Sequence, residues 1–398
     1  MRLKIAFVLL SLGLVVFSLG SISFGTDISN NKNVRIAVLQ DVEEFTIAIR
    51  GHYEICDPIT NTCFEQGRSL RKSKVEGILN GISIADKKYD RLQLRIVSSK
   101  DIAISYDSKE KRYRGKIDII KDADNHFWIV NGVGLEDYIR GVLYHEVSHR
   151  WPMEALKVEA VAARTYVLYQ IEKNKTQDYD VTSDIYSQVY GGRSAERYRT
   201  NLAVKATTGE VMVYRGKVLP AYYHAACGGM TEDVSELWKN DLPPLKGVVC
   251  EFCKNSPHNY WKRNFRSKDI QDLLNKNGYR VGFIKEIKIL ERNKSGRIRN
   301  LLITMRDGQS VTIAGKDFRD IVGPNILKSN NYEIIMKGYY FDVIGKGWGH
   351  GVGMCQWGAQ EMAHRHYKYP QILQYYYPGV GIINLNKPEE IPQTVKFP

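Results

Sequence analysis

The 398-residue sequence lacks an internal repeat and a long linker. It also lacks the composition of a disordered chain, because 43% of its residues are hydrophobic and 25% are charged. These absences favour one composite α+β body with a core of ordinary size, built from a central helix pair, mixed β-structure and a small N-terminal β portion.

Long apolar runs are also scarce, and one stands near the start, from Ile5 to about Leu19, behind Arg2 and Lys4. A charged region, an apolar run and small residues after it predict a secretory signal over residues 1–25. No A-x-A cleavage site follows, and the run nearly suffices to span a bilayer, so an uncleaved membrane anchor remains open. No cysteine follows directly, so we expect no lipoprotein anchor. The predicted location is extracytoplasmic: secreted, in the cell wall or in the periplasm.

The formal charge of +13 is usually associated with nucleic-acid binding. An exported chain meets little nucleic acid but does meet the carboxylates and phosphates of a bacterial wall. Basic residues would concentrate it on such a polyanion. The alternative is a basic surface that serves solubility alone.

Residues 33–130 show short strand-like runs. Residues 34–39 and 92–97 alternate apolar and polar side chains as half-buried strands do. Between them, Cys56 and Cys63 flank a turn, which in an exported protein predicts a local disulfide. Residues 131–380 form the predicted core, followed by a tail over 381–398.

Residues 133–173 predict two helices. In the first, Leu135, Tyr138, Ile139 and Val142 form one apolar stripe, and its next step falls on Glu146. A carboxyl on the core-facing side has a raised pKa or a partner, and a carboxyl kept protonated near neutral pH is a general acid. A solvated glutamate at a fraying helix end is the alternative. Pro152 then marks the start of a second helix, so Glu146 lies at a break suited to a cleft.

Three separated blocks resemble the stage II sporulation protein D (SpoIID/LytB) family. The first comprises LEDYIRGV at 135–142, Glu146, and WPMEALKVEAVAARTY at 151–166. The second is SQVYGG at 187–192, and the third is GWGHGVGMCQWGA at 347–359, followed by YYYPG at 375–379. The resemblance covers roughly residues 34–380.

This resemblance implies a lytic transglycosylase that cleaves the MurNAc–GlcNAc bond of stem-peptide-free glycan and leaves a 1,6-anhydro sugar, in wall remodelling that sporulation would use. The family's catalytic carboxylate falls on Glu146, and catalysis needs no cofactor. One carboxyl can protonate the leaving oxygen and then accept the proton of the C6 hydroxyl. Family names also imply a non-catalytic alternative, a wall-binding enhancer of an N-acetylmuramoyl-L-alanine amidase.

The same blocks supply the candidate substrate-binding residues, which are Arg164, Tyr166, Gln188, Tyr190, Trp348, His350, Gln356 and Trp357. The glycines around Trp348 and His350 lack the Lys-Ser/Thr of a phosphate-binding loop. They would let the backbone approach a bulky polymer, with aromatic faces for sugar. A structural turn is the alternative.

Residues 145–149 also read HEVSH, the zinc-protease motif H-E-x-x-H. That chemistry needs both histidines on one unbroken helix and a third ligand. Ala155 stands where the extended motif has its third histidine, and Arg150 places a cation beside the would-be metal. A metalloprotease is therefore a remote alternative.

A second candidate metal site lies at 224–253, where His224 and Cys227 precede the pair Cys250 and Cys253. This is a Cys₃His set with the spacing of a zinc knuckle. We expect structural zinc here, and disulfides are the alternative. Some family members hold zinc beside the catalytic glutamate, with cysteines just ahead of the Gln-x-Tyr block, but Ser187 stands there in this chain. Cys355 receives no role.

Overall fold

The structure is a computed structural model, and it describes residues 32–387 and residue 389. The predicted signal segment and most of the predicted tail lie outside these residues. Across the described part of the chain, no helix combines the length and the apolar character needed to cross a bilayer. The fold is a mixed α+β fold with an N-terminal strand region.

The N-terminal region is built from twelve described strands that form two antiparallel sheets with one shared core. The strands are β1 (Asn33–Val42), β2 (Glu44–Ile49), β3 (Tyr53–Cys56), β4 (Cys63–Gly67), β5 (Leu70–Ile78), β6 (Gly81–Ile84), β7 (Lys87–Tyr89), β8 (Gln93–Ser98), β9 (Ile102–Tyr106), β10 (Lys109–Tyr113), β11 (Lys116–Lys121) and β12 (Phe127–Gly134).

One sheet has the order β1-β12-β11-β8-β3-β4, and the other has the order β10-β9-β2-β5-β6-β7. Both predicted strands are present, as β1 and β8. In β11 every second residue is buried, as expected for a strand with one face on a core. The predicted disulfide joins Cys56 and Cys63 across β3 and β4 and is confirmed.

The two predicted helices are also confirmed, as α1 (Leu135–Glu146) and α2 (Met153–Lys173). Pro152 caps the start of α2, where its missing N–H is no loss. Fourteen residues of α2 are buried, and they lie on all sides of the helix. It is therefore the central helix of the molecule. The short strand β13 (Val181–Thr182), which joins β1 at the edge of the first sheet, and α3 (Tyr198–Ala206) follow.

The remaining chain divides into a body beside α2 and a unit inserted into it. The elements are β14 (Glu210–Tyr214), β15 (Lys217–Val218), β16 (Tyr223–His224), β17 (Trp261–Arg266), α4 (Ser267–Lys276), β18 (Ile284–Arg292), β19 (Ile298–Met305), β20 (Ser310–Ala314), α5 (Gly315–Val322), β21 (Tyr332–Lys337), β22 (Tyr340–Gly345), β23 (Met354–Cys355), α6 (Gln356–His364), α7 (Tyr369–Tyr376) and β24 (Gly381–Asn384).

The inserted unit consists of the elements from β17 to β22, residues 261–345. These elements enclose a hydrophobic core of their own, with Leu301 and Phe341 fully buried. The sequence predicts one core over residues 131–380, whereas residues 261–343 within that range have a separate hydrophobic core. The second core of the body packs β14, α6 and α7 against α2. The parallel pair β16 and β23 joins segments more than 100 residues apart and stands beside the end of α1, where the cleft opens.

Candidate active site

A cleft of about 590 Å³ opens between the helix pair, the β16 segment, the glycine-rich loop and α5 of the inserted unit. That volume falls within the range of small-molecule sites in proteins, roughly 300–1,000 Å³. Its wall includes Glu146, Tyr166, Ile185, Tyr186, Val189, Tyr222, Tyr223, His224, Trp238, Lys316, Arg319, Asp320, Trp348, His350 and Gln356.

Glu146 is the last residue of α1, and the chain turns to extended backbone at Val147. The Val189 backbone N–H donates to Glu146 Oε1 over 2.9 Å, which fixes one carboxyl oxygen. Burial raises the pKa of Glu146 to about 7, and the Val189 and Gln356 hydrogen bonds partly oppose that rise. The carboxyl is therefore largely protonated just below neutral pH while it still borders the cleft.

A second carboxyl, Glu159 of α2, lies behind Glu146 and is only 1% exposed. The Gln356 amide donates to Glu159 Oε1 over 2.9 Å and also lies beside Glu146. Burial, followed by the charge of Glu146, raises the pKa of Glu159 to about 8. Two carboxyls that share one amide in a buried place resist double ionisation.

Gln188 connects two tyrosines beneath the cleft. It accepts a hydrogen bond from the Tyr138 hydroxyl at 2.9 Å, and its amide donates to the Tyr223 hydroxyl at 2.8 Å. Gln188 is fully buried, so it holds Tyr223 in the cleft wall and does not face the cleft itself.

Aromatic side chains form one wall of the cleft. Tyr222 and Trp238 stack with ring centroids 4.5 Å apart, and His350 meets Trp238 edge-on at 5.4 Å. Ile185 and Tyr186 also line the cleft and are 56% and 80% exposed. Aromatic faces with polar edges are suited to pack on sugar rings.

Two imidazoles border the same wall. His224 Nδ1 lies 3.1 Å from the Val352 carbonyl oxygen. Because a carbonyl oxygen can only accept, Nδ1 carries the proton and Nε2 is an acceptor. Among the described residues, Nε2 has no hydrogen-bond partner. Burial lowers the pKa of His350 to about 3, with help from the Arg319 and Arg297 charges, so His350 stays neutral.

Comparison with known proteins bears on this site. A family profile described as Stage II sporulation protein matches residues 123–214, which carry Glu146, Glu159 and Gln188. A domain of unknown function (DUF8618) matches residues 251–353, which contain the inserted unit.

An uncharacterised protein of Brachyspira hyodysenteriae is 38% identical over 65% of this chain and 69% of its own length. Stage II sporulation protein D of Bacillus amyloliquefaciens is 29% identical over 64% of this chain and 75% of its own length. The chain belongs to the SpoIID family. The amidase enhancer of Bacillus subtilis is 27% identical over 61% of this chain, and the chain spans only 40% of that relative's length.

Within this SpoIID chain, the cleft brings together Glu146, Tyr166, Trp348, His350 and Gln356, all of which the sequence predicted for the site. Four other predicted residues do not line it: Gln188, described above, and Arg164, Tyr190 and Trp357.

Arg164 is fully buried, pairs with Glu136 over 2.7 Å and donates to the Glu210 carbonyl, so it stabilises the helix pair. Tyr190 is buried and donates to Asn131. Trp357 is not part of the cleft lining and packs edge-on against Trp151. For these three residues, the contacts described here are contacts within the fold, and their predicted role in substrate binding stays a prediction.

The H-E-x-x-H geometry is absent. Since α1 ends at Glu146, His149 lies beyond the helix, and the two histidines do not share one helical face. Among the described residues, neither His145 nor His149 belongs to a group of side chains that could hold a metal.

The predicted metal ligands separate into two places. Cys227, Cys250 and Cys253 come together in the interior, but their fourth neighbour is Cys355. His224 points to Val352 and the cleft instead, because β16 turns its ring away from the three sulfurs. The structure therefore places Cys355 where the sequence analysis placed His224.

Glu159, Tyr223 and Trp238 are site residues that the sequence analysis missed. Glu159 had a usable signal, because it lies three residues after Leu156 and four before Ala163, which places the three on one face of α2. Tyr223 and Trp238 lie in short irregular segments without periodicity, so no local pattern distinguishes them.

Proposed function

We propose that this protein acts on the bacterial cell wall outside the cytoplasm, as a lytic transglycosylase that cuts peptidoglycan glycan strands with Glu146. The cell-wall role follows from its family. The observation that carries the enzymatic proposal is a glutamate at the cleft wall with its pKa raised to about 7. General acids that work near neutral pH have such pKa values.

The proposed reaction uses one carboxyl twice. Protonated Glu146 donates its proton to the bridging oxygen between MurNAc C1 and GlcNAc, and the C1–O bond breaks. The MurNAc C6 hydroxyl then attacks C1, and the Glu146 carboxylate takes the hydroxyl proton. The products are a 1,6-anhydro end and a GlcNAc end, and the glutamate is again protonated without added water.

Two other carboxyls bear on the choice between this route and hydrolysis. A hydrolase uses a second carboxylate, either to activate water or as a nucleophile, on the sugar face opposite the acid. Glu159 is too deeply buried to reach a substrate or its water. Asp320, on α5 of the inserted unit, does line the cleft, but the proposed mechanism does not use it. The single-carboxyl mechanism predicts that Asp320 is dispensable.

The test incubates the full chain with purified, stem-free glycan and analyses the fragments by mass spectrometry. Anhydro ends are expected, and Glu146→Gln should lower the rate by about 10²–10⁴-fold because the general acid is lost. Glu172→Gln, an exposed change on α2, is the matched control and should retain the wild-type rate.

Asp320→Asn completes the test and should cut with anhydro ends as the wild type does. Reducing ends, together with an inactive Asp320→Asn variant, would show a two-carboxylate hydrolase. Intact glycan after prolonged digestion would contradict an enzymatic role altogether.

A second candidate function is enhancement of a wall amidase, which the name of the Bacillus subtilis relative favours. This function needs binding to glycan or to the amidase, but no proton transfer at Glu146. Glu146→Gln should then keep full enhancement when the protein is mixed with an N-acetylmuramoyl-L-alanine amidase and insoluble peptidoglycan. Loss of enhancement in this variant would link the effect to glycan cutting.

A further inference from the structure

Four cysteines converge in the second hydrophobic core of the body. Cys227, Cys250, Cys253 and Cys355 are all free and buried. Their Sγ atoms lie within 4.8 Å of one another, and those of Cys227 and Cys253 are 3.4 Å apart. They come from three separate segments: the loop after β16, the turn before β17, and the end of β23.

This spacing matches a metal coordinated by four sulfurs. A tetrahedral zinc ion with Zn–S bonds of about 2.3 Å sets its sulfur atoms about 3.8 Å apart. The sulfur–sulfur distances in the cluster, 3.4 Å for one pair and at most 4.8 Å for all pairs, span that value. Its residues supply only thiol ligands, which select zinc over harder cations such as calcium or magnesium.

The groups around the sulfurs are those that a thiolate requires. The backbone N–H groups of Cys227 and Gly358 point at Cys355 Sγ over 3.3 and 3.4 Å. The Tyr376 hydroxyl lies 3.2 Å from Cys250 Sγ. Donors aimed at metal-bound sulfur orient the ligands and offset their negative charge.

A buried cation lies beside the same cluster. Arg297 of the inserted unit is 2% exposed and donates to the Cys227 carbonyl oxygen over 2.8 Å. Four thiolates and one divalent ion carry a net charge of −2, which is costly in the interior without a compensating charge. The guanidinium provides part of that compensation.

We propose that Cys227, Cys250, Cys253 and Cys355 bind one zinc ion as a structural tetrathiolate site. Four protein ligands leave no position open for a substrate, so the metal organises the fold and takes no part in the chemistry.

The proposed metal site adjoins segments that line the cleft. Cys355 caps α6, and the next residue, Gln356, holds Glu159 and touches Glu146. Cys227 lies three residues after His224, and its neighbour Ala226 is bridged to Trp348. One ion therefore fixes the segments that present Gln356, His224 and Trp348. This consequence rests on the proposed function, whereas the metal site itself does not.

The first experiment measures zinc in the purified full chain by inductively coupled plasma mass spectrometry, with one ion per chain expected. The chain is then denatured in chelator without reductant, and its thiols are titrated. Four reactive thiols are expected, because Cys56 and Cys63 form a disulfide. Absence of zinc from protein that has four reactive thiols would overturn the proposal, and so would two further disulfides, which leave no reactive thiol.

The second experiment compares substitutions at one ligand. Cys250→Ser should lose the zinc and melt at a lower temperature, whereas Cys250→His should retain it because imidazole also binds zinc. The matched control replaces Cys56 and Cys63 together by serine and should keep one zinc per chain. Retention of full zinc by Cys250→Ser would remove Cys250 from the site and contradict the four-ligand assignment.

Cobalt substitution provides a readout that a purely structural defect would not move. Co²⁺ bound by four sulfurs gives intense sulfur-to-metal charge-transfer absorption, which should weaken in Cys250→His. Since all of these measurements are independent of glycan cutting, a zinc-loaded but inactive chain would contradict the proposed function and leave the metal site standing.

Discussion

Glu146 and Glu159 show how the fold keeps one carboxyl protonated and another out of reach. Both pKa values are raised by burial, and the Gln356 amide lies between the two groups. Only Glu146 borders the cleft. In the proposed mechanism, Glu159 would act through Gln356 as a positioning residue.

The Gln356 hydrogen bond leads to a prediction about pH dependence. In the proposed mechanism Glu146 starts as an acid, so glycan cutting should decline as the pH rises through about 7. Gln356→Leu removes an interaction that lowers this pKa, so the declining limb of the pH–rate profile should move to higher pH by up to about one unit. The measurement is the rate of fragment release between pH 5 and 9.

Gln360→Leu is the matched control, since Gln360 lies on the same helix α6 outside the cleft lining. Its profile should coincide with that of the wild type. A Gln356→Leu profile that merely drops in height at every pH would contradict a role in setting the Glu146 proton affinity.

Single residues could be predicted where a local hydrophobic period marks their position. Glu146 could be predicted because it continues an apolar stripe on α1. Arg164 was assigned to substrate from its family block, yet its partner Glu136 lies 28 positions earlier, a contact that no local pattern reveals. The proximity of Cys355 to Cys227 could not be predicted from the sequence, because it depends on the parallel pairing of β16 with β23.

Among the elements, the glycine-rich loop depends most strictly on its residue types. Gly349 and Gly351 have φ values of +112° and +93°, which side chains with a Cβ rarely adopt. A Cβ on Gly351 would lie 2.4 Å from Cζ of the buried Arg297. The loop thus needs glycine both for its backbone and for close contact with the inserted unit.

Gly351→Ala should therefore lower the free energy of unfolding by about 3 kcal/mol, because backbone strain and overpacking add. Gly338→Ala is the control, since its φ is +67° and no atom lies within 4 Å of the added Cβ. It should cost about 1 kcal/mol from strain alone. Urea unfolding of both variants measures the difference, and equal losses would show that the Arg297 contact contributes nothing.

The elements themselves were predictable to different degrees. The α1 and α2 pair followed from the 3.6-residue period and from Pro152, and β1 and β8 followed from alternation. The separate core of residues 261–343 was not foreseen, because its strands and helices resemble those of the surrounding body in composition. Their grouping depends on long-range pairings such as β17 with β22.

At the scale of the whole molecule, two buried carboxyls make stability depend on pH. Their folded pKa values of about 7 and 8 lie above the ordinary value of 4.5. The folded state binds more protons than the unfolded state between these values. Their stabilising contribution is therefore complete below about pH 4.5 and is lost as the pH rises through 7 to 8.

We expect Glu159→Gln to lose less stability than the wild type between pH 5 and pH 8, by on the order of 2 kcal/mol. Urea titrations at both pH values give the comparison. Glu172→Gln, whose carboxyl is exposed, should follow the wild type. Identical pH dependence in all three proteins would show that Glu159 is not protonated in the fold.

The inserted unit leaves and re-enters the body at one point, since Trp261 at its start pairs with Gly345 at its end. Cys253 stands shortly before this junction and Cys355 shortly after it. Because this stretch joins the body through two neighbouring strands, a change in its length would leave the chain path of the helices that hold Glu146 unchanged. It also contributes α5 to one side of the groove, so under the proposed function a change in this stretch would alter which polymers fit while Glu146 stays in place.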